Sequence, residues 1–181
     1  AADNMPAVAI TDHGNMFGVF EFIKECNAQN VKPIVGCEFY MVEDMSITSF
    51  AGTGKRDKRY HQLLLAKDEI GYKNLTRLTS MSYKDGLYGK YPRIDLELLK
   101  KHKEGLIATT CCIGAVVPQT ILLKGEEEAE RIFKEWHDMF GEDYYIELQR
   151  HKIENINGTT WSQEKINQLL LKWGERYNVK V

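Results

Sequence analysis

The chain has 181 residues, with 24 Lys and Arg against 26 Asp and Glu, for a formal charge of -2. That length suits one domain, or part of one, with a sizeable core, and the charge excludes a global basic field for nucleic acid while leaving room for a local basic patch. No apolar stretch approaches a membrane span and no signal peptide is visible; the four cysteines (Cys26, Cys37, Cys111, Cys112) have neither CxxC nor disulfide-framework spacing, which reads as reduced thiols in a cytosolic protein.

Ala1–Asn4 reads as the tail of a helix, and Asn178–Val181 as a strand just starting, so the expectation is a piece of a longer chain. Between them strands and helices alternate. A strand over Ala7–Thr11 precedes a helix over Phe17–Gln29, whose Phe17, Phe20, Ile23 and Lys24 recur at helical spacing. A strand over Pro33–Tyr40, extendable to Val42, follows. The polar stretch 45–60, with its charged run Lys55–Arg59, reads as a solvated loop insertion. Then come a strand over Gln62–Ala66, a helix from Tyr72 to Tyr83 and a turn-rich link over Gly86–Pro92. Asp95 is placed to cap a short helix ending near His102 and closed by Gly105. A strand over Leu106–Thr110 leads into Cys111-Cys112. Helices over Val117–Leu123 and Glu126–Phe140 follow, the second opening on an acidic first turn. A strand over Tyr144–Gln149 and a helix over Thr160–Tyr177 complete the order.

Such alternation favours parallel strands in an α/β architecture, either an open doubly wound sheet or a barrel. Polar residues at several strand ends favour the barrel, whose sites gather at one face. An open sheet uses one switch point and commonly a glycine-rich phosphate loop, and no such loop occurs in the chain.

Asp12-His13 ends the first strand. His13 can ligate a metal, and Asp12 can ligate or orient a histidine; the plain alternative is a turn cap beside a loop histidine. Glu38 sits in an apolar strand, where an unpaired carboxylate is costly. Alternation puts it on a face with Gly36 and Tyr40, opposite Cys37 and Phe39, with the small Gly36 leaving space beside it. Its reading is metal ligand or catalytic base, and an edge strand in water is the alternative. His61 lies before its strand, so reaching the same face requires a reversed strand or a loop folding back. Cys111 and Cys112 follow a strand, only one of them able to face a site. Thiolate, imidazole and carboxylate donors together suit zinc, although a free Cys is also an ordinary small core residue. His151 ends the strand over Tyr144–Gln149, and Arg150 is a candidate phosphate contact or a partner of Glu147 or Glu154. His102 and His137 read as solvated.

Several ordered blocks carry a resemblance: Ala-Ile-Thr-Asp-His-Gly-Asn-Met-Phe-Gly (9–18), Lys-Pro-Ile-Val-Gly-Cys-Glu (32–38), Tyr-His-Gln-Leu-Leu-Leu-Ala-Lys (60–67), Gly-Tyr-Lys-Asn-Leu (71–75), Pro-Arg-Ile-Asp-Leu-Glu-Leu-Leu (92–99), Glu-Gly-Leu-Ile-Ala (104–108) and Glu-Leu-Gln-Arg-His (147–151). Across nearly the whole chain it resembles the polymerase and histidinol phosphatase (PHP) domain of bacterial replicative DNA polymerase III alpha subunits. The resemblance implies a distorted (β/α)7 barrel, here truncated at both ends. The family's His-x-His strand would lie before residue 1 and its Asp-x-His strand after residue 181. It implies His13, Glu38, His61, Cys112 and His151 as metal ligands, with Glu38 and Asp12 in catalytic roles. Zinc is the metal first implied, with manganese or magnesium as alternatives, in a site incomplete within this piece.

The function implied is that of an N-terminal polymerase domain in DNA replication. In the parent nucleotidyltransferase it would be a metal-dependent 3′–5′ proofreading exonuclease, the fragment alone being inactive. One alternative is an inactive scaffold that stabilises the polymerase and docks a separate exonuclease subunit; another is a free-standing phosphoesterase like histidinol phosphatase. The partners implied are DNA through the parent, the remaining polymerase domains and the exonuclease subunit, with no membrane and a cytoplasmic location.

Overall fold

The computed structural model describes residues 3–50 and 56–181. The fold is mixed α/β with a six-stranded sheet. The chain divides into two compact units, Ala1–Arg59 with Leu63–Leu106, and Tyr60–Gln62 with Ile107–Val181. Of the expected opening helix tail, residues 1 and 2 lie outside the described residues, and Asp3 is in a turn. Among the described residues no helix is long and apolar enough to cross a membrane.

In the first unit, strand β1 (Ala7–Ile10) leads through helix α1 (Val19–Ala28) to strand β2 (Lys32–Val42). The two strands pair in parallel, from Ala7 opposite Lys32 to Ile10 opposite Val35. Strand alternation decides the burial of β2: Cys37, Phe39 and Met41 are buried, while Glu38 and Tyr40 lie on the other face. The expected apolar stripe of α1 is corrected. Val19 and Cys26 are its buried residues, whereas Phe17 and Phe20 are 78% and 77% exposed. Phe17 precedes the helix, and of the other spaced residues only Ile23 is half-buried, on the side of Val19 and Cys26.

Strand β3 (Tyr60–Ala66) begins earlier than expected and contains His61. Helix α2 (Glu69–Lys84) starts on Asp68, whose carboxylate accepts the Gly71 N–H at 2.8 Å; such a cap is worth about 1 kcal/mol. Gly71 is required by packing, since a Cβ there would strike the Gly105 carbonyl. The expected link over Gly86–Pro92 is followed by a short strand that was not expected, β4 (Arg93–Asp95), parallel to the end of β2. Asp95 caps helix α3 (Leu96–Lys101) as expected, accepting the Leu98 N–H at 2.9 Å.

Within the charged run before β3, Arg56 and Lys58 are exposed loop residues, but the run also holds a side chain that composition does not mark as buried. Asp57 is nearly buried between two arginines, Arg59 and the wholly buried Arg93. Arg93 also donates to the carbonyls of Gly86 (2.8 Å), Met45 (3.1 Å) and Ile47 (2.9 Å). A buried guanidinium needs a counter-charge and acceptors for its donors; Asp57 supplies the first, and the Gly86, Met45 and Ile47 carbonyls the second. Residues 51–55 of the expected insertion lie outside the described residues.

In the second unit, strand β5 (Leu106–Thr109) is followed by helices α4 (Val116–Lys124) and α5 (Glu126–Phe140). Strand β6 (Tyr144–Tyr145) pairs in parallel with β5, and helix α6 (Gln163–Tyr177) starts on a Ser162 cap. Phe133 packs on Tyr144 and Trp173 at ring distances of 5.4 and 5.5 Å. The expected strand over Tyr144–Gln149 is shortened to two residues. Beyond it polar side chains take over the pairing: the Glu147 N–H goes to Thr110 Oγ1 at 2.9 Å, and its carboxylate accepts from Thr109 Oγ1 at 2.8 Å. His151 and Arg150 therefore lie several residues beyond a strand end. A backbone bridge between Tyr145 and Lys180 bears on the expected strand start at the C-terminal residues.

Candidate metal centre

The first pair of donors is set by backbone register. The β1–β2 ladder continues past Ile10: the Glu38 N–H donates to the Asp12 carbonyl at 3.1 Å and the Gly14 N–H to the Glu38 carbonyl at 2.9 Å. His13 is thereby bridged to Glu38, and His13 Nδ1 stands 3.6 Å from Glu38 Oε1. That is long for a hydrogen bond. Gly14 makes the turn at φ +67.

Gly36 lies beside Glu38 but does not leave the space its size suggests. A Cβ there would meet Leu65 Cδ2 at 2.5 Å and the Leu64 carbonyl at 2.7 Å. The glycine serves close strand approach, and β3 fills the gap. Cys37, on the opposite face of β2, is a core thiol: burial pushes it up to about 12, far from the thiolate a metal requires.

The second pair comes from β3 and the turn after β5. His61 donates its backbone N–H to the Gly114 carbonyl at 3.0 Å, and the Gln62 amide donates to the Thr109 carbonyl at 2.9 Å. The other end of β3 meets the start of β5, where the Lys67 N–H donates to the Gly105 carbonyl at 2.9 Å. His61 lies in β3 itself and is bridged to Ala115, just past Cys112. Cys111 occupies the left-handed region at φ +55, a conformation costing about 1 kcal/mol or more for a residue with a Cβ. Its N–H is tied to Thr109 Oγ1 at 3.0 Å. Cys111 is buried, while Cys112 Sγ stands 3.5 Å from His61 Nδ1.

Both separations fit a tetrahedral ion. Zinc–nitrogen and zinc–sulfur bonds of about 2.0 and 2.3 Å put ligand atoms about 3.5 Å apart, and nitrogen with oxygen gives about 3.4 Å. The donor types, imidazole, carboxylate and thiol, are those zinc accepts. The described residues thus include groups that could bind a metal.

The remaining candidates are placed differently. The Asp12 side chain is exposed and points toward Gly18, its Oδ2 3.3 Å from where a Cβ would stand. Arg150 and His151 are exposed, beside a groove of about 590 Å³ that Asn167 and Leu171 also line.

Spacing alone missed an aromatic and cationic wall beside His13. The Tyr40 ring stacks on the His13 ring at 6.1 Å, Tyr91 meets Tyr40 edge-on at 5.2 Å, and the Arg59 guanidinium lies 3.7 Å over Tyr91. Burial raises the Tyr40 hydroxyl, with Tyr91 and the Glu38 charge adding to the effect and Arg59 opposing it. Alternation already placed Tyr40 on the face of Glu38, which was the one signal of this wall in the sequence.

Comparison with known proteins matches the PHP domain model over residues 1–151. Among curated relatives, the DNA polymerase III subunit alpha of Borreliella burgdorferi is 42% identical over 177 residues, covering 97% of this chain and 15% of that protein. Its counterpart from Thermus aquaticus is 42% identical, covering 96% of this chain and 14% of its own length. That of Aquifex aeolicus is 39% identical, covering 97% and 15%. The chain spans about one seventh of the length of these relatives. The match of the family model over most of the sequence, with the ordered blocks and donor pairs inside it, shows that the chain belongs to the PHP domain family.

Proposed function

We propose that this chain is the metal-binding PHP domain of a replicative DNA polymerase III alpha subunit, acting in the cytoplasm on DNA carried by the parent polymerase. In this reading the strands belong to a (β/α)7 barrel, and His13, Glu38, His61 and Cys112 hold zinc, manganese or magnesium serving as alternatives. The observation that carries it is the pair of donor spacings, 3.6 Å for His13 with Glu38 and 3.5 Å for His61 with Cys112. His151 is the fifth ligand of the set, and its exposure makes it the one whose loss costs least.

The activity proposed is 3′–5′ hydrolysis of a primer terminus. A bound divalent ion would supply an activated water and stabilise the departing 3′-oxygen. Glu38, largely buried and opposite His13, fixes a negative charge where the ion is held. His61 and Cys112 are held by their backbone contacts, so little ordering remains for binding. Asp12, at the exposed edge, has the role of orienting a ligating histidine. The test is degradation of a primer terminus by the full polymerase chain purified with zinc or manganese. Hydrolysis that Glu38→Ala abolishes is expected; no hydrolysis, or hydrolysis unchanged in Glu38→Ala, rejects it.

A scaffold role is favoured by a separate observation, the exposure of Phe17 and Phe20. With Met16, Tyr72 and Tyr83 near, Phe17 borders a groove of about 280 Å³, an apolar surface suited to the remaining polymerase domains. Metal would then chiefly stabilise the fold. Chelation that lowers the melting temperature and leaves nuclease activity unchanged selects this reading over the enzymatic one.

A further inference from the structure

We propose that Arg59, seated on Tyr91 beside the His13–Glu38 pair, is the phosphate-recognising residue of this domain, taking an oxyanion of a phosphate mono- or diester. The inference rests on the phosphoester reading above and deepens it by assigning the group that reads the substrate's charge.

Three contacts fix Arg59 in place. Its guanidinium lies over the Tyr91 ring at 3.7 Å, its Nη1 donates to Asp57 Oδ2, and the other Asp57 oxygen is held at 2.9 Å by the wholly buried Arg93. An arginine held over an aromatic ring and by one carboxylate keeps its remaining N–H donors for an anion, and its orientation is set before the anion arrives. The Arg59 side chain is 27% exposed, while Asp57 is 6% exposed. Substrate can therefore reach the arginine and not the carboxylate.

Charge points the same way. Asp57 serves two guanidiniums, Arg59 and Arg93, and Asp44 also acts on Arg93, so Asp57 is shared and does not neutralise Arg59 alone. Lys90 adds another cation 5.6 Å from the same Tyr91 ring. A fixed cation of this kind attracts phosphate oxygens and forms charge-assisted hydrogen bonds with them.

Position supplies the link to the chemistry. Tyr91 touches Tyr40 edge-on at 5.2 Å, and Tyr40 stacks on His13 at 6.1 Å. The wall runs without a gap from the guanidinium to the imidazole that faces Glu38. Arg150, the arginine that strand-end position alone suggests, is exposed and has no comparable anchor among the described contacts.

The test needs no variant at first. Phenylglyoxal modification of the arginines in the full chain is mapped by peptide mass spectrometry. Inorganic phosphate and the dinucleotide dTpdT are run as separate arms, against chloride at equal ionic strength. We expect phosphate to slow modification of Arg59 several-fold and to leave Arg150 unchanged. Protection by dTpdT as well extends the subsite to diesters, and protection by phosphate alone confines it to monoesters. Arg59→Gln is expected to weaken phosphate binding by about tenfold or more with manganese binding unchanged, and Arg59→Lys to recover part of it. Equal modification of Arg59 with and without either ligand overturns the proposal, as does wild-type phosphate affinity in Arg59→Gln. Manganese binding without Arg59 protection removes the subsite alone. Arg59 protection in a chain that binds no metal removes the metal reading and keeps the subsite.

Discussion

Arg93 Nη1 donates to Asp57 Oδ1 at 2.9 Å, and the two side chains are 0% and 6% exposed. The pair anchors the end of a segment rich in polar residues to strand β4. Arg93 also holds three carbonyls, those of Gly86, Met45 and Ile47. Arg93→Met takes the side-chain donor from these acceptors, leaving the Met45 and Ile47 carbonyls without it and Asp57 with Arg59 alone. The expected loss is about 3–5 kcal/mol, read as a lower urea midpoint. Asp57→Asn keeps an acceptor but removes the charge opposite a buried guanidinium, and a comparable loss of about 3–5 kcal/mol is expected. A midpoint unchanged in Arg93→Met would show that the segment is not anchored there.

The buried Cys37 thiol makes stability depend on alkaline pH. Its ordinary value of 9.0 is pushed up to about 12 by desolvation in the folded chain. The unfolded thiol ionises first, so this contribution is complete below about 9 and is lost as pH rises toward 12. Cys37→Ala removes that slope. Urea unfolding of both chains at a series of pH values from 8 to 11 is expected to give curves that converge as pH rises, wild type starting higher. Parallel curves would mean that the thiol titrates alike in both states.

Gly36→Ala tests the close approach of β2 and β3. The new methyl would stand 2.7 Å from the Leu64 carbonyl, which is backbone and cannot swing away. A cost of about 1–3 kcal/mol is expected. Because Glu38 lies two residues on, on the same face, manganese affinity is expected to fall with stability. Calorimetric titration beside thermal melting checks both, and a methyl tolerated without change in either would contradict the packing.

The helix and strand order was legible because apolar runs alternated with capped helical stretches; Asp95 marked the start of α3, while Gly105 lies in the turn before β5 and not at the helix end, which is capped at His102. His13 and Glu38 were legible as a pair for a stricter reason. Once β1 and β2 run in parallel with Ala7 opposite Lys32, the same register brings His13 to Glu38. The burial of Asp57 was not legible from charge, because Asp57 and Arg93 are 36 residues apart and their pairing lies in no local window. Tyr144–Gln149 looked like one strand, but Thr109 and Thr110 hydroxyls divert Glu147 from the ladder. Phe17 and Phe20 had helical spacing without the burial that spacing usually brings.

That exposure leads to a prediction on the scaffold reading. Replacing both Phe17 and Phe20 with Ser removes apolar area already in water, so thermal stability of the isolated chain is expected to stay within about 0.5 kcal/mol. Association with the remaining polymerase domains, supplied as a separate chain and followed by sedimentation, is expected to weaken. Undiminished association would release the two rings from that role.

The donor pairs predict an order of effects on metal binding. Cys112→Ser replaces a thiol 3.5 Å from His61 with a harder oxygen donor on a shorter side chain. Glu38→Gln removes the charge 3.6 Å from His13. Each is expected to lower zinc affinity by about tenfold or more, on the scale of losing one charge-assisted contact. Cys37→Ser is expected to leave affinity unchanged, because that thiol is buried on the opposite face of β2 and stays protonated to about 12. His151→Ala, at an exposed position, is expected to fall between these cases and near the wild type. Competition titration with a chromogenic zinc chelator measures all four in one series. Equal losses for Cys37→Ser and Cys112→Ser would show that a general effect on folding, and not ligation at the His61–Cys112 pair, sets the affinity.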